Sequence, residues 1–230
     1  MTHASSTAFM VGLDGLMIAY TLWVLARAGA SRGLRAGVAG ALVTWLGALF
    51  WLFVAGPLPH AVPGLLFLGV IVGFVGFVGV VLLGVPTLRR ALLTLDHVDL
   101  LLPQGIRVFF GASFLMQAAL GVLPTTFGIL DGFSHVAAGF LGLLAAYLVQ
   151  RESSKAALWT ANVFGLGDIL VVASTLALVL LPEITPRHSM MLAVFLPAPI
   201  WAWLHVISIY RALREPRTTH ARVRPAATTA

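Results

Sequence analysis

Long apolar runs separated by short polar breaks dominate the chain, at 8–28, 36–56, 63–85, 105–122, 127–149, 157–181 and 190–212. Each run approaches or exceeds the roughly 20 residues a helix needs to cross the hydrocarbon core of a bilayer. Charged residues, Pro and Gly mark the breaks. Because lipid offers no hydrogen bonds to the backbone, such runs predict helices that satisfy their own amides. The expected fold is therefore all-α: a polytopic membrane protein with seven transmembrane helices forming one domain over 1–214. The remainder, 215–230, rich in Arg, Pro, Thr and Ala, is expected to be a disordered basic tail. The first run is expected to be a retained span and not a signal peptide, since Met1–Thr7 holds no Lys or Arg and no small-residue cleavage site precedes Arg27. Segment 88–101 places apolar residues at 88, 91/92, 95 and 98/102 with charges between them. It reads either as a helix lying in the interface or as a helical loop.

Charge orients these spans. Arg27, Arg32, Arg35, Arg89, Arg90, Arg107, Arg151, Lys155, Arg211, Arg214, Arg217, Arg222 and Arg224 all fall on one side of a seven-span plan, and only Arg187 falls on the other. The positive-inside rule then puts the N-terminus outside and the C-terminus in the cytoplasm. Trp23, Tyr147, Trp159 and Tyr210 cluster near the same inner boundary, where amphipathic rings favour the headgroup region. The expected location is the cell (inner or plasma) membrane, as a multi-pass protein. The expected partners are the bilayer itself and anionic lipid at its cytoplasmic face, each basic residue adding about 1 kcal/mol of attraction. Although the net charge is +6, the basic residues follow the membrane sides, so no nucleic-acid partner is expected. Hydrophobic residues make up 60% of the chain and charged ones 10%, whereas soluble domains carry about 25% charged residues. No length remains for a separate soluble domain. Assembly as an oligomer or as a subunit of a membrane complex is left open.

The chemistry must come from few groups. There is no cysteine, which excludes disulfides, thiolate metal sites and cysteine nucleophiles. A charged side chain near the membrane midplane costs about 2.5–3.5 kcal/mol on insertion scales, so each one needs a partner or a cavity. Arg107, Gln117, Asp131, His135, Asn162, Asp168 and His205 lie on helix faces suited to packing in the last four spans, and Asp14 lies in the outer half of the first. Asp131 is expected near the outer boundary and His135 one turn below it. Asp168 falls near the midplane, with Asn162, His205 and Arg107 in the inner half. Together they would form a discontinuous polar track. The leading expectation is transport of a small molecule, ion or proton, with Asp168 as the midplane group. One alternative is an intramembrane enzyme acting on a lipid or isoprenoid through a histidine and a carboxylate. Another is a non-catalytic subunit or sensor whose polar groups only specify packing.

Metal binding at Asp131 and His135 lacks a third ligand in the sequence, so no metal site is expected. Retinal is excluded because the sole lysine, Lys155, lies in a loop. Haem is not expected, because nothing marks two axial ligands at one depth; the cofactor is otherwise unknown. Asp96, His97 and Asp99 are expected on a solvated interfacial face. His60 and His188 fall in outer loops.

Small residues mark where membrane helices approach closely. Gly69, Gly73 and Gly76 are expected to receive a neighbour on the third span, and Gly132 and Gly139 on the fifth. The spaced residues Arg107, Gly111, Gly121, Pro124, Asn162, Gly165, Asp168 and the Pro199 to His205 segment resemble a group of bacterial multi-pass membrane proteins without an assigned activity. The chain departs from that group's pattern at His135 and Ala161. The resemblance covers about half the chain and implies a membrane-embedded helical fold, but no reaction.

Overall fold

The computed structural model describes residues 3–56, 62–181 and 188–215. Every regular element among them is helical. Seven helices are long and apolar enough to span a membrane: Ala4–Arg27, Arg32–Ala55, Gly64–Gly84, His97–Ala119, Thr125–Glu152, Lys155–Leu180 and Met191–Arg214. The chain is thus a multi-pass membrane protein. Residues 216–230, Arg187 and His60 lie outside the described residues, so the expected tail, the outer basic residue and that loop histidine carry no structural account.

The first three spans are α1 (His3–Arg27), α2 (Arg32–Phe50, continued by a wide turn Trp51–Ala55) and α3 (Gly64–Gly84). Ser31 opens α2 by accepting the Leu34 amide at 3.2 Å, while Gly29 (φ 72°) takes the left-handed conformation that ends α1. Two short helices follow, α4 (Pro86–Thr94) and α5 (His97–Leu101). α4 starts on Pro86 and buries Leu88, Ala91 and Leu92 while Arg89 and Arg90 stay exposed, an amphipathic division suited to an interface. The segment anticipated as one element is therefore two. Leu95 is extended, and Asp96 caps α5 by accepting the Asp99 amide at 2.7 Å.

α5 belongs to the fourth span. It runs through a 3₁₀ turn, Leu102–Ile106, into α6 (Arg107–Ala119). The remaining helices are α7 (Thr125–Glu152), α8 (Lys155–Thr175, with a wide turn Leu176–Leu180), α9 (Met191–Phe195) and α10 (Pro197–Arg214). The seventh span is interrupted at Leu196, and the cause is chemical. Pro199 has no amide to give the Phe195 carbonyl, and the Trp45 indole of α2 donates to that oxygen instead, at 2.9 Å.

α6 and α7 share the most extensive contact of any helix pair among the described residues. Gly111, Gly128, Gly132 and Gly139 lie along it, Gly142 continues the line against Gln104 of the 3₁₀ turn, and a Cβ on Gly139 would come 2.8 Å from the Val108 amide nitrogen. Such a seam brings the two backbones close, with Val108, Leu115 and Val136 packed directly on the glycines. α3 behaves differently. It turns Phe67, Ile71 and Gly79 inward, and Gly79 accommodates the Trp203 ring, whose indole donates to Val75 O at 2.8 Å. Gly69, Gly73 and Gly76 are exposed, with no other atom within 4 Å of where a Cβ would stand. The neighbour anticipated on that face is absent within the described chain, because the bulky Phe67 and Ile71 bury on the opposite side against the core.

Candidate functional site

The charged residues of the last four spans converge. Arg107 is the first residue of α6 and is fully buried, so it does not snorkel to the surface. The preceding 3₁₀ turn and the close α6–α7 seam hold its backbone deep in the bundle. One guanidinium nitrogen, Nη2, donates to Asp168 of α8. The other, Nη1, reaches the Gly165 carbonyl at 3.2 Å, Gln104 Oε1 at 3.4 Å and His205 Nε2 at 3.4 Å. The guanidinium carbon stands 5.4 Å from the centre of the Trp201 ring, a distance at which a ring face attracts a cation.

Asp168 Oδ2 also lies 3.1 Å from His135 Nδ1 on α7, and the same nitrogen lies 2.8 Å from Asp131 Oδ1, one turn away on the same helix. The imidazole is held by edge contacts to Phe114 and Trp201. Asp131, His135 and Asp168 are all buried, and one donor atom from each lies within 4.8 Å of the others. Asp168 therefore supplies the third potential ligand that sequence spacing around Asp131 and His135 did not reveal. These three residues could hold a cation, although Arg107 already pairs with the Asp168 carboxylate. A small cavity of about 40 Å³ borders Asp131, His135, Phe114, Ile169 and Met190. Space of that size holds water, which needs roughly 10–15 Å³ of such volume.

A second run of hydrogen bonds leaves Arg107 toward the predicted cytoplasmic side. Asn162 Nδ2 donates to the Leu158 carbonyl at 2.8 Å and to Ser208 Oγ at 3.0 Å. That fixes the amide orientation, because a carbonyl only accepts. Asn162 Oδ1 then accepts from His205 Nδ1 at 2.9 Å. The tautomer follows: the proton sits on Nδ1, and His205 Nε2 offers its lone pair to Arg107. Gly165 makes room for this imidazole, since a Cβ there would overlap the ring. Beyond Asn162, Ser208 Oγ contacts His97 Nδ1 at 3.2 Å, and His97 Nε2 contacts Glu215 Oε1 at 3.0 Å.

His97 and Asp99 thus correct the expectation of a solvated face. Both are buried, His97 against Ser208 and Asp99 against Arg27 Nε at 3.1 Å. Only Asp96 of that trio is exposed. The reason is that α5 is the inner end of a membrane span packed on α7 and α10.

Two expected track members stand apart. Gln117 joins α6 to α1, accepting from Ser6 Oγ at 2.7 Å and donating to Ser113 Oγ at 2.9 Å. Asp14 is fully buried, and neither carboxyl oxygen has a hydrogen-bond partner among the described residues. Sequence reasoning missed Gln104, His97 and Glu215. The one legible signal was Ser208, which follows His205 at a spacing that puts both on one helix face.

Fold and site together define a polytopic helical membrane protein whose interior holds a buried four-residue charge cluster. The chain belongs to the family described as Domain of unknown function (DUF8737), which matches residues 63–213. That span begins just before α3 and includes every member of the cluster. No curated protein and no solved structure matches the chain.

Proposed function

We propose that the protein is a proton-coupled or proton-conducting membrane protein in which the Asp131–His135–Asp168 group takes up and releases the proton. The carrying observation is the charge sum of the cluster. Two carboxylates face one guanidinium and one imidazole, all buried. With a neutral imidazole these formal charges sum to −1, and they cancel when the group holds one further proton, on His135 or on one of the two carboxylates. Unbalanced charge in a membrane interior is costly, so loss of that proton must be answered by a new cation or by movement of a neighbouring helix. A divalent ion would overshoot to a net positive charge, whereas a proton restores neutrality. This favours protons over divalent metal ions as the exchanged species.

Cavity size supports the same reading against an enzyme. Space of about 40 Å³ beside Asp131 and His135 admits water but no lipid or isoprenoid headgroup. Both carboxyl oxygens of Asp14 and Oδ1 of Asp168 have no hydrogen-bond partner among the described residues, which argues against a purely packing role, since buried polar groups kept only for structure are normally satisfied. The fourth and seventh spans, both interrupted, flank the cluster, an arrangement common around transporter sites. Static conduction along the whole hydrogen-bonded run is not proposed, because Arg107 and the Asn162 amide do not exchange protons as relays. Proton passage therefore requires a conformational change around Arg107.

The test is proton flux in proteoliposomes loaded with a pH-sensitive dye, driven by a potassium diffusion potential. Wild type is expected to acidify the lumen faster than empty vesicles, and His135→Leu and Asp131→Asn are expected to abolish the difference while remaining monodisperse. Equal flux in wild type and both variants refutes the assignment.

A further inference from the structure

Away from the charged cluster, the faces of α1, α2, α3, α4 and α10 enclose a half-open cleft of about 560 Å³. Its volume lies within the roughly 300–1,000 Å³ typical of small-molecule sites. Met17, Val24, Trp45, Phe77, Leu92 and Leu204 form much of the wall, and no ionisable residue lines it. Its hydroxyl, Thr21, donates to its own helix at Met17 O, 2.9 Å away, and the Trp45 indole is taken by Phe195 O. Nothing inside the cleft can therefore recognise a polar head.

The recognition chemistry lies at one end. Gly33 and Leu34 of α2 and Leu88 of α4 close the cleft on its predicted cytoplasmic side. Arg32, Arg35, Arg89 and Arg90 are their near neighbours in sequence, and neither α2 nor α4 contains an acidic residue. Arg32, Arg89 and Arg90 are exposed and Arg35 half-buried, its Nε without a hydrogen-bond partner. Arg90 Nε donates to the Pro86 carbonyl at 3.4 Å, which leaves its other nitrogens free of that bond; an apolar slot whose closing residues are flanked in sequence by four arginines is complementary to a molecule with a hydrocarbon chain and an anionic head.

We propose that the cleft is a binding site for an anionic phospholipid of the cytoplasmic leaflet, one acyl chain lying between α2, α3 and α10 and the phosphate meeting the arginines of α2 and α4. α2 is the least buried of the seven spans, so the lipid completes the contact between α2 and the rest of the bundle.

Native mass spectrometry of detergent-purified, delipidated protein tests this by titration with phosphatidylglycerol, phosphatidylcholine or ubiquinone. Wild type is expected to bind phosphatidylglycerol about tenfold more tightly than phosphatidylcholine, equivalent to about 1.4 kcal/mol. The variant with Arg32, Arg35, Arg89 and Arg90 all changed to Gln is expected to lose that preference. Ala41→Phe, which fills the middle of the cleft from α2, is expected to lose both lipids. The arginine variant alters only polar boundary residues and decides the matter even if Ala41→Phe misfolds. Equal affinity for the two phospholipids, an undiminished preference in the arginine variant, tighter binding of ubiquinone, or a second copy of the chain crosslinked through α2 in place of lipid each overturns the proposal.

Discussion

Removing the guanidinium of Arg107 should be among the most damaging single changes in this protein. Arg107→Leu leaves Asp168 and Asp131 buried with only His135 to answer them. Breaking one side of a buried ion pair costs about 3–5 kcal/mol, and the bonds from Nη1 to Gly165 O and Gln104 are lost with it. Asp168→Leu should cost a similar amount by stranding the guanidinium. The double variant removes both opposite charges and leaves His135 beside Asp131, so the two penalties should not add. A coupling on the order of 3 kcal/mol in favour of the double variant follows. Arg107→Lys should recover little, because an ammonium cannot reach Asp168 with one nitrogen and Gly165 O with another as the planar fork does. Reversible unfolding in mixed micelles of a mild detergent and dodecyl sulfate measures wild type and the four variants on one scale. Additivity within about 0.5 kcal/mol would mean that the two groups do not interact, and the reasoning about the cluster would fail with it.

Other consequences are simpler to read. Gly165→Ala should drive a methyl into the His205 imidazole and cost about 1–3 kcal/mol, visible as a lowered unfolding midpoint; an unchanged midpoint would mean that the ring has room to retreat. Trp45→Phe strands the Phe195 carbonyl at the break before Pro197 and should cost about 1–3 kcal/mol, with little loss if water reaches that oxygen instead. Single cysteines at Ser5 and at Ser153, introduced into this cysteine-free chain, should react with impermeant maleimide from opposite sides of the membrane, Ser5→Cys from outside intact cells; the reverse pattern would refute the orientation drawn from the arginines.

Helix number and type were legible because the bilayer imposes a length and forbids unpaired backbone. The boundaries were less so. The fourth span starts eight residues earlier than apolar patterning suggested, since Asp96, His97 and Asp99 look solvated until their partners Ser208 and Arg27 are seen. Helical faces grouped Arg107, His135, Asp168, Asn162 and His205, which lie in contact, but could not show that Gln117 bonds to Ser6 of α1 or that Asp14 is buried without a hydrogen-bond partner among the described residues. The exposed glycines of α3 show another limit: small residues permit close approach, but the larger Phe67 and Ile71 determine which side is buried. His97 and Glu215 were beyond reach because their contacts join residues more than a hundred positions apart.

The glycine seam between α6 and α7 has a mechanical meaning. Where backbones touch directly, there are few side-chain rotamers to absorb a small displacement, so the pair responds as one stiff beam. Arg107, Asp131 and His135 all ride on that beam, and their spacing is its property. Asp168 on α8 and His205 on α10 are carried separately. A change of charge at His135 would therefore be felt as a shift of α8 or α10 against a fixed edge, and those two helices are where a second conformation should be sought.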